Sequence, residues 1–131
     1  EMRDDAIVVT FHPVPIANVV GNLAACDANK DGVESFNFPS GSEVITPALT
    51  FSTSIGCLVK NGLVPVFVDV EPLSYCIDCS QIENLITEKT VAILAPNLMG
   101  NLCDWKEIRR IADLYNLIVI HFLLLQIYNG R

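Results

Sequence analysis

Short apolar runs alternate along the chain with segments in which apolar residues recur at helical spacing. The runs are rich in β-branched residues and predict strands, whereas the periodic segments predict amphipathic helices. This alternation indicates βαβ crossovers and a mostly parallel α/β sheet flanked by helices, in one domain over 1–131. The predicted strands are 6–11, 43–46, 65–70, 91–95 and 117–120, and the predicted helices are 16–26, 50–61, 80–88 and 104–115.

Individual side chains predict the ends of these helices. Asp104 is expected to cap helix 104–115, and Ser80 is expected to cap helix 80–88 with Glu83 in the position that a capping box requires. Gly62 is expected to end helix 50–61. The strand 65–70 is nearly all apolar, which predicts that both of its faces are covered. The apolar stripe of helix 104–115 consists of Trp105, Ile108, Ile111, Ala112 and Tyr115.

Charge narrows the classes of partner. Fifteen acidic residues against eight basic ones give a net charge of −7, which disfavours nucleic acid and anionic membrane as partners because both would be repelled.

The longest apolar run, 117–127, is interrupted by His121 and Gln126 and is too short to span a bilayer as a helix. The acidic start, 1–5, does not resemble a signal peptide. We therefore expect a cytoplasmic protein.

The five cysteines are an odd number scattered over different predicted elements. Such a distribution suits reduced thiols in the cytoplasm better than a disulfide framework. Cys76 and Cys79 have the spacing of a redox or zinc motif, but a structural zinc site needs two further ligands in a second matching pair. Coincidental spacing in a loop is the favoured interpretation, and a small redox protein that uses these two thiols stays an alternative.

Ligands of an open parallel sheet collect beyond the carboxyl ends of its strands. Among these places the turn 47–54, PALTFSTS, stands out because hydroxyl groups and an aromatic ring lie together at a helix start. Phe51 could face a ligand, or Thr50 could cap the helix with Phe51 in the core, and composition alone favours the second arrangement. The five predicted ligand-binding places are 12–18, 47–53, 70–76, 96–102 and 121–126.

Other catalytic signals are weak. The motifs GxGxxG and GxxxxGK[ST] do not occur, so the usual dinucleotide and phosphate-loop mechanisms have no support. His12 and His121 are interpreted as loop or strand-end residues, and no serine or cysteine nucleophile is singled out by its spacing to a base.

The segments ITPALTFST, GLVPVFVDV and LMGNLCDWKEIRRIADLYNL resemble the DegT/DnrJ/EryC1/StrS family of pyridoxal-phosphate-dependent sugar aminotransferases, and within it the nucleotide-sugar 3-dehydratase branch. The resemblance covers about 40–120. It implies part of the large domain of the fold type I architecture, a parallel-rich sheet flanked by helices. It also implies a homodimer with active sites at the subunit interface and pyridoxal phosphate or pyridoxamine phosphate as cofactor.

The resemblance also implies roles for individual positions. Phe51 matches the aromatic residue that stacks on the cofactor ring in the family. The phosphate-binding turn corresponds to 13–18, where only Ala17 and Asn18 keep the family pattern. The position of the Glu-Asp pair, whose Asp holds the pyridine nitrogen, is occupied by His121-Phe122, so that carboxylate is missing.

The family's Schiff-base lysine, or the histidine that replaces it in the dehydratases, has no counterpart in the matched region. Lys60, Lys89 and Lys106 are predicted to lie on the surface. We expect a large-domain fragment of an enzyme that transfers an amino group to, or removes the 3-hydroxyl of, a 4-keto-6-deoxy sugar nucleotide in surface-polysaccharide synthesis, without catalysis on its own. A structural or interaction module, whose exposed apolar faces bind a partner chain or a second copy, is the alternative.

Overall fold

The computed structural model describes residues 33–34 and 36–120. The strand predicted at 6–11 and the helix predicted at 16–26 lie outside the described residues. The elements run in the order β1 (Glu43–Pro47), α1 (Ser52–Lys60), β2 (Val64–Val68), α2 (Cys79–Ile82), β3 (Thr90–Leu94), α3 (Trp105–Tyr115) and β4 (Ile118–Ile120), with 3₁₀ turns at Glu83–Leu85 and Leu98–Gly100. Of the helices in these ranges, none is both long and apolar enough to cross a membrane.

The four strands form one parallel sheet in the order β2-β1-β3-β4, which confirms the predicted sheet. Ile45 at the middle of β1 lies opposite Val66 of β2 on one side and Ile93 of β3 on the other. After β1 the chain therefore moves outward to the β2 edge, and after β2 it returns past β1 to β3. The direction of strand addition reverses between β1 and β3.

The helices cover opposite faces of the sheet, and the side chains of each strand alternate between these faces. On one face, α2 and α3 pack against the sheet through a buried cluster. On the other face, α1 packs against the sheet through a second buried cluster. The first cluster includes Ile45, Ile93, Val119, Ile82, Ile108 and Ile111, and the second includes Val44, Ala92, Leu94, Ile120, Cys57 and Leu58. Two small cores, one on each face, hold β1 and β3 between them.

The prediction that both faces of the strand 65–70 are covered is wrong for β2. It lies at the edge of the described sheet, and the side chains of Val64 and Phe67 are 46% and 51% exposed. A continuous apolar run indicates a strand, but it does not distinguish a central strand from an edge strand.

The segment predicted as helix 80–88 is shorter and begins elsewhere. Asp78 caps α2, and its carboxylate accepts hydrogen bonds from the Ser80 backbone N–H (3.0 Å), the Ser80 hydroxyl (2.6 Å) and the Gln81 amide (2.6 Å). These bonds, first that from the Ser80 side chain and then that from Gln81, lower the pKa of Asp78. The Ser80 hydroxyl donates its hydrogen bond to Asp78. The Glu83 carboxylate accepts from Arg110 at 2.6 Å instead of taking part in a capping box. The predicted capping box is therefore wrong.

The helix α3 confirms the prediction for 104–115. Asp104 caps it by accepting from the Glu107 N–H at 3.1 Å, and Ile108, Ile111 and Ala112 are buried. Tyr115 departs from the predicted apolar stripe, since its ring is 40% exposed and its hydroxyl donates to Glu83.

We predict that Asp104→Ala destabilises the fold by about 1 kcal/mol, because the Glu107 N–H loses its acceptor at the start of α3. Urea unfolding followed by circular dichroism measures the change. Asp113→Ala is the matched control: it removes a carboxylate from the exposed side of the same helix, where an ion pair with Arg109 contributes less than about 0.5 kcal/mol. Equal losses in the two variants would contradict the capping role.

Candidate functional site

The loops that follow β1 and β3 leave the sheet at its carboxyl edge. The two strands are neighbours, and the helices that follow them lie on opposite faces. Ligands of open α/β sheets bind at such a reversal point, because the two loops separate there and leave a gap. We call the loop 48–51 the first wall of this reversal point and the loop 95–104 its second wall.

Phe51 lies in the first wall and is exposed, which corrects the core position that composition favoured. It is the N-cap residue of α1, with extended backbone (φ −75°, ψ 144°) and a side chain that is 43% exposed. Thr50 does not cap the helix, and α1 begins without a side-chain cap. The left-handed backbone of Gly62 (φ +71°) follows the end of α1 and confirms the predicted stop.

The helical spacing of apolar residues in the predicted helix 50–61 predicts one buried face made of Phe51, Ile55, Leu58 and Val59. The face of α1 that packs on the sheet differs from this prediction. Ser54, Cys57 and Leu58 are the buried residues, whereas Val59 is 59% exposed. The Cys57 thiol donates to the Ser54 carbonyl oxygen at 3.0 Å, so this small polar group is satisfied inside the helix. Phe51 precedes the first turn of α1 and lies exposed at the carboxyl edge.

Two threonine hydroxyls near this wall have no partner. The Oγ1 atoms of Thr46 and Thr50 are enclosed, and neither makes a hydrogen bond in the described part of the chain. An enclosed unpaired hydroxyl costs about 1–3 kcal/mol. The turn between β1 and α1 therefore carries two hydroxyl groups whose hydrogen-bonding capacity the described residues do not use.

Asn97 lies in the second wall and is only 5% exposed. Its Oδ1 atom accepts from the Cys103 N–H (3.0 Å) and from the Trp105 indole Nε1–H (3.2 Å). Asn101, in the same loop, donates to the Ser74 carbonyl oxygen at 2.7 Å and ties this loop to the one after β2. The sequence predicted 96–102 as a ligand-binding place but did not single out Asn97. A lone amide directly after the apolar strand and Pro96 is the signal that could have found it.

Residues 10–121 match the DegT/DnrJ/EryC1/StrS aminotransferase family. The chain belongs to this family. It is 50% identical over 80 residues to the lipopolysaccharide biosynthesis protein RfbH of Salmonella typhimurium, covering 61% of this chain and 18% of that protein. It is 38% identical over 115 residues to dTDP-3-amino-3,6-dideoxy-alpha-D-galactopyranose transaminase of Aneurinibacillus thermoaerophilus, covering 86% of this chain and 32% of that protein.

A solved structure shows the same fold. GDP-4-keto-6-deoxy-D-mannose-3-dehydratase of E. coli with bound hydrated pyridoxal phosphate matches with a TM-score of 0.70 and 30% identity. The match covers 75% of this chain and 27% of that one. The sheet and its helices therefore have the fold of pyridoxal-phosphate-dependent aminotransferases, as the resemblance implied. The chain spans less than a third of the length of each of these relatives.

Of the three residues that the resemblance assigned to the cofactor, the structure describes one. Phe51 lies at the carboxyl edge, where the loop after β1 meets α1. Ala17 and Asn18, together with His12 and His121-Phe122, lie outside the described residues, so the predicted phosphate turn and the missing pyridine partner stay predictions.

The lysines of the described ranges lie on the surface, as predicted. Lys60 ends α1 and Lys89 directly precedes β3, so both are at the amino edge of the sheet, opposite Phe51. Lys106 is exposed in the first turn of α3. None of the three side chains is enclosed beside Phe51.

The described cysteines disfavour the alternative of a redox protein that uses Cys76 and Cys79. Cys76 and Cys103 are buried and Cys79 is half-buried, and the described residues contain no group of three or more His, Cys, Asp or Glu side chains that could hold a metal ion. Burial, with Asp104 and Glu107 adding negative charge nearby, raises the pKa of Cys79 to about 11. Burial and the adjacent Cys76 thiol raise the pKa of Cys103 to about 12. A redox nucleophile needs a lowered thiol pKa instead.

We predict that Cys79 of the folded chain reacts slowly with iodoacetamide at pH 7.5 and that its rate rises with pH towards about 11. A raised pKa leaves the thiol protonated at neutral pH, and the thiolate is the reacting form. Peptide mass spectrometry after timed labelling measures the rate. The urea-unfolded chain is the control, since its thiols return to a pKa of about 8.5. Fast labelling of folded Cys79 at pH 7.5 would restore the redox hypothesis.

Proposed function

We propose that this chain forms part of the large domain of an enzyme that uses pyridoxal phosphate or pyridoxamine phosphate to aminate or to 3-deoxygenate a 4-keto-6-deoxy sugar nucleotide. The exposed ring of Phe51 at the reversal point of the sheet is the observation that carries the proposal. The relatives add the reaction classes, since one is a transaminase of a dTDP-amino sugar and another is a 3-dehydratase of a GDP-keto sugar. We also propose that the whole protein acts in the cytoplasm in surface-polysaccharide synthesis.

The described residues fit a flat aromatic cofactor. Phe51 offers a free π-face that a planar ring can stack on, and the extended backbone at the N-cap holds this ring at the edge. The unpaired hydroxyl of Thr50 lies next to it in the chain. When bound, pyridoxal phosphate supplies an electron sink for the substrate's reacting carbon. Ala17 and Asn18 are proposed to contact its phosphate, as the resemblance implies.

We further propose that these 131 residues hold the cofactor without turnover of their own. Schiff-base chemistry needs an amine close to the stacked ring, and the described lysines lie at the amino edge or on the exposed side of α3. The residue that moves protons during the reaction would then come from another part of the whole protein.

Phe51→Ala is predicted to weaken pyridoxal phosphate binding about 3- to 10-fold, because the ring loses its stacking partner. The dissociation constant is measured by titration of the cofactor absorbance, and the wild-type value is expected below about 1 mM. Phe67→Ala is the matched control, because Phe67 is also about half exposed but lies within the edge strand β2. No saturable wild-type binding, or equal weakening in both variants, would count against the proposal.

A second candidate, an interaction module, is favoured by apolar surface on the same side of the sheet. Leu73 is 93% exposed in the loop after β2, and Leu102 is 73% exposed in the loop after β3. The hydrogen bond from Asn101 to Ser74 ties these two loops together. Exposed leucines in two linked loops favour association because contact removes apolar surface from water. We propose a second copy of the chain as the partner.

Light scattering over a concentration series tests this second candidate. We predict a mass that rises from monomer to dimer with increasing concentration, and a weaker rise for the variant Leu73→Ser/Leu102→Ser. The variant Leu114→Ser is the control, since Leu114 is 63% exposed on α3 away from these loops. A strictly monomeric wild type would contradict association through these loops.

A further inference from the structure

Cys76 and Cys103 are two buried thiols that lie side by side although they belong to different loops. Cys76 lies in the loop after β2 and Cys103 in the loop after β3, and both are part of the buried cluster that α2 and α3 form with the sheet. The Cys103 thiol is in hydrogen-bond contact with the Cys76 thiol, and its sulfur also accepts from the backbone N–H of Ile77, the residue after Cys76. The two sulfur atoms are therefore neighbours.

Backbone hydrogen bonds hold Cys76 in place. Its carbonyl oxygen accepts from the Glu71 N–H at 2.9 Å, and its N–H donates to the Ser74 hydroxyl at 3.2 Å. Val70 and Ile77 form an antiparallel bridge where this loop begins and ends. The loop after β2 is therefore closed at its base, and Cys76 lies at the closed end.

Cys103 is held in the same way from the other loop. Its N–H donates to Asn97 Oδ1 at 3.0 Å, and its thiol donates to the Pro96 carbonyl oxygen at 3.5 Å. The hydrogen bond from Asn101 to the Ser74 carbonyl oxygen joins the two loops at positions that precede Cys103 and Cys76 by the same spacing. The fold thus brings the two thiols together before any bond forms between them.

We propose that Cys76 and Cys103 are an oxidation-sensitive pair, which a peroxide converts into a disulfide that joins the loops after β2 and β3. The inference is independent of the proposed function, because it involves no contact with a cofactor. It also differs from the disfavoured redox alternative, since the disulfide is a crosslink within the fold and Cys79 takes no part in it. Disulfides of cytoplasmic proteins are usually transient and redox-sensing, and we assign this one to that class.

The reaction balances with two thiols and one molecule of hydrogen peroxide. The Cys76 sulfur attacks a peroxide oxygen, the O–O bond breaks, and Cys76 becomes a sulfenic acid as one water leaves. The Cys103 sulfur then attacks the Cys76 sulfur, so that the S–S bond forms and the S–O bond breaks. The Cys103 proton leaves with the hydroxide as a second water. The two sulfurs together lose two electrons, and the peroxide gains them.

The environment of Cys103 makes this crosslink slow to form and slow to reduce. Burial and the Cys76 thiol raise the pKa of Cys103, and a protonated thiol reacts slowly at neutral pH. A disulfide is strongly oxidising when its reduced form is stabilised, as a low thiol pKa does, and Cys103 is the opposite case. We therefore expect the disulfide to persist until a thiol reductant is added.

The experiment treats the reduced 131-residue chain with hydrogen peroxide, blocks the remaining thiols with N-ethylmaleimide and maps linked peptides by mass spectrometry without reductant. Cleavage before Asp78 separates Cys76 from Cys79. We expect one intrachain link, between Cys76 and Cys103. The urea unfolding midpoint should rise by about 1 M or more, because the crosslink restricts the unfolded chain, and should return to its starting value after dithiothreitol.

Serine variants assign the effect to the pair. Cys76→Ser and Cys103→Ser should each abolish the rise in the unfolding midpoint. Cys79→Ser is the matched control, because Cys79 is half-buried close to the pair, and it should keep both the link and the rise. A link that includes Cys79, or peroxide treatment that leaves Cys76 and Cys103 unlinked, overturns the inference. If a serine variant fails to fold, the peptide map of the unsubstituted chain still decides.

Discussion

The parallel pairing of β1 with two neighbours, β2 on one side and β3 on the other, is the constraint on which the rest of the structure depends. Because the chain reaches β2 first and must then pass back to β3, the helices after β1 and after β3 lie on opposite faces. Each face acquires its own buried cluster, and both clusters share the alternating side chains of β1 and β3. The reversal point between the two loops follows from this pairing.

The two walls of that reversal point are held in place by contacts with the helices α1 and α3. Phe51 lies at the edge because it is the N-cap residue of α1, whose buried residues Ser54, Cys57 and Leu58 hold the helix against the sheet. Asn97 is oriented by Trp105, the first residue of α3, and Asp104 fixes the start of that helix by capping it. A helix cap on one face of the sheet thus helps to set the direction of an amide at its edge. Stability of the fold and geometry of the candidate site are therefore coupled through α3.

The sequence predicts the features that depend on local pattern. The parallel sheet follows from the alternation of strands and helices, and α3 follows from its apolar stripe and the cap at Asp104. The sequence does not predict the features that depend on competition between hydrogen-bond partners or on contacts between residues that are distant in the chain. The Ser80 hydroxyl donates to Asp78 instead of capping a helix. Helical spacing predicts a core position for Phe51, but the buried residues of α1 include Ser54 and Cys57. Asn97 gains its partners only because the loop after β3 turns back to bring Cys103 and Trp105 beside it.

A crystal structure of the chain grown with pyridoxal phosphate tests the central claim most directly, that the reversal point between β1 and β3 is the ligand site. The account predicts the cofactor ring against the face of Phe51. A cofactor bound at the amino edge near Lys60 and Lys89, or one that leaves the Phe51 ring uncovered, would contradict it.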